Sequence, residues 1–328
     1  MEKNKTVLSG MRPTGPLHLG HLAGALRNWI KFQDEYQCYY SIVTWHALSS
    51  EYQNSRAIKK NTFEVAADWL SIGLDPQKST LFIQSEVKEH AELHLLLSMI
   101  IPLPWLQRVP TFKEMQKELK EKEINTYGFL GYPVLQTADI LMYKANVVPV
   151  GEDQAYHLEL AREITRHFNR LFGKVFPEPQ MMLTEVPKLA GTDGRKMSKS
   201  FNNSINLKDS PEEIQDKIST MMTDTKRKRR KDPGNPDDCP VFTLHKAFVS
   251  KAKREEIIRG CRNAGIGCVD CKQVIIDTLI KELSSFRKKR KIYEKNPDLV
   301  WEILEQGNLK AREKARATME EVRNKIGF

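Results

Sequence analysis

Two histidines and two lysines have the types and spacings that suit phosphate chemistry. His18-Leu19-Gly20-His21 closes the run Gly10-Met11-Arg12-Pro13-Thr14-Gly15-Pro16-Leu17, where an apolar stretch gives way to an amphipathic one. Imidazoles beside a helix N-terminus can donate hydrogen bonds to phosphate oxygens as charge develops. Lys196-Met197-Ser198-Lys199-Ser200 lies on a polar loop with Gly191 and Gly194. Two lysines three apart supply point charges that can follow a departing pyrophosphate. Neither run is a Walker loop or a GxGxxG turn, which disfavours those two nucleotide folds. Each alone competes with a blander reading, a glycine-rich turn with incidental histidines or a solvated basic loop. The third constellation is Cys239-x21-Cys261-x6-Cys268-x2-Cys271. Zinc ribbons pair two C-x-x-C units and only one is present, whereas four unevenly spaced thiolates suit a [4Fe–4S] cluster. Zinc, or buried free thiols, are the alternatives.

The elements that must position these groups follow from apolar periodicity. Strands are expected over 6–9, 38–45, 80–84 and 147–150, and helices over 19–33, 57–72, 87–98, 134–143 and 154–171. Alternating strand and helix predict βαβ crossovers and a parallel sheet covered on both faces. Past about residue 187 no alternating strand is evident. Ser210-Pro211-Glu212-Glu213 opens a helix, with a serine cap, an early proline and acids in the first turn. Further helices are expected over 251–262, 269–287, 297–305 and 309–326. The result is an α/β domain over 1–186 followed by an all-helical domain over 187–328.

Composition agrees with two soluble domains. The chain has 328 residues, 40% hydrophobic and 29% charged, which excludes disordered, collagen-like and membrane-spanning classes. The net charge of +10 is unevenly spread: residues 1–186 carry 20 basic and 21 acidic side chains, residues 187–328 carry 32 and 21. Such asymmetry points to a polyanion met mainly by the second part, through runs such as Lys226–Lys231 and Arg287-Lys288-Lys289-Arg290-Lys291. No apolar signal core follows Met1-Glu2-Lys3-Asn4-Lys5, and no stretch is long enough to span a bilayer, so a cytoplasmic location without membrane contact is expected.

His18-Leu19-Gly20-His21 resembles the "HIGH" signature of class I aminoacyl-tRNA synthetases, and residues 196–200 match their K-M-S-K-S signature without a mismatch. Gly131-Tyr132-Pro133-Val134-Leu135-Gln136-Thr137-Ala138-Asp139-Ile140-Leu141, Val150-Gly151-Glu152-Asp153-Gln154, Pro104-Trp105 through Phe112-Lys113, and Asp224-Thr225 through Asp232-Pro233-Gly234 are similar to the tryptophanyl-tRNA synthetase family over nearly the whole chain. The resemblance implies a Rossmann-like catalytic domain and a helical anticodon-binding domain. It implies that Asp139 accepts the indole N–H, that Tyr132 and Gln154 hold the α-ammonium, and that Gln136 and His46 belong to the tryptophan pocket. ATP would meet Arg12, Pro13, Thr14, Gly20, His21, Gly151, Glu152, Asp153, Leu189 and the loop Lys196, Met197, Ser198, Lys199 and Ser200. His18 and His21 would stabilise the reacting phosphate, and Lys196 and Lys199 the leaving pyrophosphate with Mg²⁺. A subset of the family carries a [4Fe–4S] cluster, and Gly260-Cys261 with Ala264 through Lys272 is similar to its surroundings, giving Cys239, Cys261, Cys268 and Cys271 as ligands. tRNA(Trp), L-tryptophan and a homodimer partner are implied. Two departures stand out: Thr44 precedes Trp45-His46-Ala47-Leu48 where the family commonly has an acid, and Gln136 stands where many relatives carry Met. Chemically, indole is donor-only, so its pocket needs one acceptor in an apolar wall. An acceptor left unpaired by phenylalanine would be costly. The tyrosyl-tRNA synthetases share the fold and are the neighbouring specificity.

Overall fold

The computed structural model describes residues 5–109, 126–151, 154–183 and 188–328. Among these, five strands, β1 (Thr6–Met11), β2 (Gln37–Ile42), β3 (Ser79–Ile83), β4 (Val147–Val150) and β5 (Gln180–Leu183), form one parallel sheet in the order β3-β2-β1-β4-β5. The order reverses between β1 and β4, which meet through Val7 and Val147. A crevice opens at such a switch point, beyond the carboxyl ends of the strands.

Helices cover the sheet because their apolar stripes recur with a helical period. α1 (Leu19–His21) runs through a π-helical turn, Leu22–Leu26, into α2 (Arg27–Glu35). Then come α3 (Thr44–Glu51), α4 (Arg56–Ile72), α5 (Glu89–Ser98), α6 (Leu103–Gln107), α7 (Tyr127–Leu130), α8 (Tyr132–Met142) and α9 (Ala155–Phe172). Leu8, Tyr39, Phe82, Ile140, Val148 and Ile164 share one core with Met319 and Val322 from far down the chain. Two expectations differ from the structure. β2 stops at Ile42, and Thr44 enters α3 instead, with its Oγ1 accepting the Ser85 N–H at 3.2 Å. β5 lies outside the expected strands, because its four residues, all half-buried or exposed, show no alternation.

The remaining helices are α10 (Pro211–Thr220), α11 (Pro240–Phe248), α12 (Lys251–Arg262), α13 (Cys268–Glu282), α14 (Ser284–Lys295) and α15 (Pro297–Ile326). Ser210 and Glu213 form the reciprocal cap that starts α10. The expected helix over 269–287 breaks near Leu283, whereas the two expected over 297–305 and 309–326 are one helix. Gly307 explains the second result. A Cβ there would fall 1.7 Å from the Leu81 carbonyl oxygen, so glycine lets α15 lie directly on β3. Next to it, Asn308 Oδ1 accepts the Ile83 N–H at 2.8 Å.

The chain groups into two compact units: Met1–Thr14 with Asn28–Thr184 and Asn296–Phe328, and Gly15–Arg27 with Glu185–Lys295. A single cut at residue 186 does not describe them, because α15 closes the sheet-bearing unit and residues 15–27 join the smaller one. Among the described residues no helix is long and apolar enough to cross a membrane.

Candidate active site

At the switch point the sheet-bearing unit holds a cavity of about 400 Å³. Gly10 near the end of β1 and Arg12 just after it, His46 and Ser49 on α3, Tyr132, Gln136 and Asp139 on α8, and Gly151 and Gln154 after β4 line it. Every tryptophan-pocket residue expected from the sequence is therefore brought together here. Pro13 and Thr14 are not among its described lining residues. Glu152 and Asp153 lie outside the described residues, as does the side chain of Ser200. The segment 110–113, part of one family-like stretch, lies outside them too.

Asp139 is the buried charge of this cavity wall. Its Oδ1 accepts from His90 Nδ1 at 2.6 Å, its Oδ2 from His46 Nε2 at 2.8 Å, and Gln84 Nε2 donates to both oxygens at 2.8 Å. Burial alone would raise the Asp139 pKa, but hydrogen bonds from His46 and His90 hold it well below the usual carboxylate range. A carboxylate only accepts, so both imidazoles present N–H to it. His90 Nε2 is then left to accept from the Tyr143 hydroxyl at 2.7 Å. Gln84 is oriented in turn, because its Oε1 accepts the Trp45 N–H at 3.0 Å. Gln84, His90 and Tyr143 were missed from sequence. Polar residues inside or just after apolar runs were the available signal. Tyr132 bonds to His157 Nε2 at 2.7 Å, and His157 is buried. Arg12 bonds to Ser50, and its Nε is buried without a hydrogen-bond partner, a donor left for a ligand.

The smaller unit assembles the phosphate-type groups. His18 caps α1: its Nδ1 accepts the Gly20 N–H at 3.1 Å, and His21 Nδ1 accepts the His18 N–H at 3.1 Å. Both Nδ1 atoms being acceptors, each neutral ring carries its proton on Nε2, ready to donate. Burial, then the nearby Lys199 charge, pushes His18 down to about 4. Burial and the neighbouring His18 hold His21 well below its ordinary value. A Cβ on Gly20 would come within 2.9 Å of the His18 ring, so glycine permits this cap. Lys199 Nζ donates to the Gly15 carbonyl at 2.7 Å. The loop that carries Lys199 turns around Asn203. Its Oδ1 accepts the Ser198 N–H at 2.8 Å and its Nδ2 donates to Asp193 at 2.7 Å. Met197 and Leu189 are buried, joined by a backbone bond of 2.8 Å, while Lys196 is exposed.

Cys239, Cys261, Cys268 and Cys271 are free thiols that line one small cavity of about 20 Å³, together with Arg227 and Lys272. Burial, with the other cysteines adding to it, pushes the Cys271 thiol up to about 12. Among the described residues no group of three or more His, Cys, Asp or Glu meets the arrangement of a metal-ion site, so the four cysteines expected as metal ligands share one cavity without forming such an arrangement. The basic tract beside it is partly structural. Arg227 donates to the carbonyls of Arg230 and Ile266, and Arg230 to those of Ala264 and Gly265. Arg290 is buried and paired with Glu294, which removes it from the surface expected to meet phosphates.

A Rossmann-like sheet, a switch-point cavity and a cap of two histidines beside a lysine-bearing loop define a class I aminoacyl-tRNA synthetase. Residues 1–284 match the family described as tRNA synthetases class I (W and Y). The chain is 52% identical to the tryptophan–tRNA ligase of Thermotoga maritima, covering 98% of this chain and 99% of that protein, and 44% identical to that of Aquifex aeolicus over 98% and 99%. A crystal structure of tryptophanyl-tRNA synthetase from Campylobacter jejuni, complexed with ADP and tryptophan, superposes with a TM-score of 0.87 at 34% identity, covering 98% of this chain and all of that one. The chain belongs to the tryptophan–tRNA ligase family.

Proposed function

We propose that the switch-point cavity takes the amino acid and that the histidine–lysine group handles the phosphates of ATP, supplied as its magnesium complex. The observation that carries this reading is the ionised Asp139 carboxylate in the cavity wall, an acceptor for a donor-only indole. Tyr132 and Gln154 face the same cavity and hold the α-ammonium, and the buried Arg12 Nε meets an anionic oxygen. The tryptophan carboxylate attacks the α-phosphate, pyrophosphate leaves, and the terminal ribose hydroxyl of tRNA(Trp) then attacks the acyl carbon of the adenylate. No enzyme nucleophile is needed. Positioning and fixed donors do the work, with neutral His18 and His21 donating from Nε2 and Lys196 and Lys199 following the pyrophosphate. Pyrophosphate exchange run in parallel with tryptophan, tyrosine and phenylalanine tests it. Exchange with tryptophan alone is expected, and exchange with tyrosine alone would sink the assignment.

The smaller unit is read as the anticodon-binding part, and its four cysteines as the site of a [4Fe–4S] cluster. The donor set fits: four half-buried thiols line one cavity, with cationic Arg227 and Lys272 beside them. A four-iron cluster takes one thiolate per iron and does not need its sulfurs to meet at one atom. When bound, it would supply a covalent staple between the end of α12 and the start of α13, onto whose connecting turn Arg227 and Arg230 are hydrogen-bonded. Four equivalents each of iron and sulfide, with a brown charge-transfer absorbance, are expected after anaerobic reconstitution. Stoichiometric zinc in the purified protein would replace this reading. A homodimer in the cytoplasm completes the proposal. The exposed apolar side chains Leu95, Met99 and Leu103 support the dimer, which light scattering would detect.

A further inference from the structure

The carboxylate proposed to read the indole is already full. A carboxylate offers about four lone-pair directions, and Asp139 uses them on His90 and Gln84 at Oδ1 and on His46 and Gln84 at Oδ2. A further N–H cannot simply be added. Of the three donors, Gln84 and His90 are fully buried and lie behind the wall, each held by a second partner, Trp45 N–H and Tyr143 O–H respectively. Among the described donors to Asp139, His46 alone lines the cavity.

We propose that tryptophan is read by exchange: the indole N–H takes the place of the His46 N–H on Asp139 Oδ2, while His90, Gln84 and Tyr143 stay and position the carboxylate. The inference rests on Asp139 being the indole acceptor and deepens that assignment. It also changes the expected reason for rejecting phenylalanine. A phenyl ring has no donor, so His46 stays where it is and Asp139 is not left unpaired. Discrimination is then the difference between two hydrogen bonds, added to the fit of indole against phenyl in the cavity. His46 sets that difference, and His90 keeps the acceptor in place.

The two histidines should therefore behave oppositely. His46→Leu removes the competing donor. It should lower the tryptophan KM in pyrophosphate exchange and raise the tryptophan-to-phenylalanine ratio of kcat/KM about threefold to tenfold, with His46→Gln, which keeps a donor, staying nearer the parent. His90→Leu should raise the tryptophan KM and lower that ratio by at least as much, with kcat changed less. If His46→Leu instead raised the KM and lowered the ratio as His90→Leu does, His46 would be a permanent donor and the exchange idea would be wrong. Should a variant fail to fold, the unmodified protein still decides. With ¹⁵N-labelled histidine, the His46 Nε2 resonance should move on adding tryptophan and not on adding phenylalanine, while that of His90 holds. A His46 resonance indifferent to tryptophan overturns the proposal. Failure of the underlying assignment looks different: Asp139→Asn would leave the tryptophan-to-phenylalanine ratio unchanged.

Discussion

His18 and His21 are donors because backbone N–H groups occupy their other ring nitrogens, and this has a pH signature. Burial pushes His18 down to about 4 and holds His21 low. Both rings stay neutral from the alkaline side down through the ordinary histidine range. The rate of tryptophan-dependent pyrophosphate exchange should therefore show no step near pH 6.5 from these rings and should fall only as pH drops toward about 4. An inflection near 6.5 that disappears in His18→Asn would contradict the neutral-donor role. Stability follows the same sign. Below the unfolded pKa of about 6.5 the unfolded chain binds more protons than the folded one. His18 should thus cost the fold about 3 kcal/mol progressively between pH 6.5 and 4. The two histidines and the lysines could be read from sequence because they are local, two short runs whose spacing survives without a structure. Of the donors around Asp139, His46 is expected in the pocket, but Gln84 and His90 are not: they come from two other elements, and only the sheet order brings them to the same carboxylate.

At the scale of elements, α15 shows what periodicity misreads. Gln306-Gly307-Asn308 looks like a helix break, and in isolation it is one. Here the glycine is the point of closest approach to β3, and the asparagine serves a strand N–H. Gly307→Ala reverses the usual sign of such a change. In an exposed helix alanine would stabilise by about 1 kcal/mol, whereas here its methyl group meets the Leu81 backbone, which cannot move aside. A fall in melting temperature is expected, and an unchanged or raised value would show that α15 does not rest on β3 as described. β5 is hidden for another reason: its four residues show no alternation, and it is recognisable only through its pairing with β4. By contrast α12 and the capped start of α10 were plain, because their signals are complete within a few residues.

For the whole molecule, the charge asymmetry survives regrouping into the compact units, with the same excess of +11 against −1 as a cut at residue 186. The smaller unit carries 27 basic and 16 acidic side chains and the sheet-bearing unit 25 and 26, since α15 is neutral. If the smaller unit meets the tRNA phosphates, charging should weaken steeply as salt is raised, through the tRNA KM, while tryptophan-dependent pyrophosphate exchange without tRNA should change far less. Equal salt sensitivity of the two would place the polyanion contact elsewhere. The seat of α15 on β3 has one more consequence, for the order in which the chain is made. Ile83 must wait for Asn308, 225 residues downstream, before its N–H is paired. On the ribosome the smaller unit has all its residues in hand first, while the sheet emerges early and stands with one strand uncovered until α15 arrives. The sheet-bearing unit can therefore complete its packing only after α15 has been made.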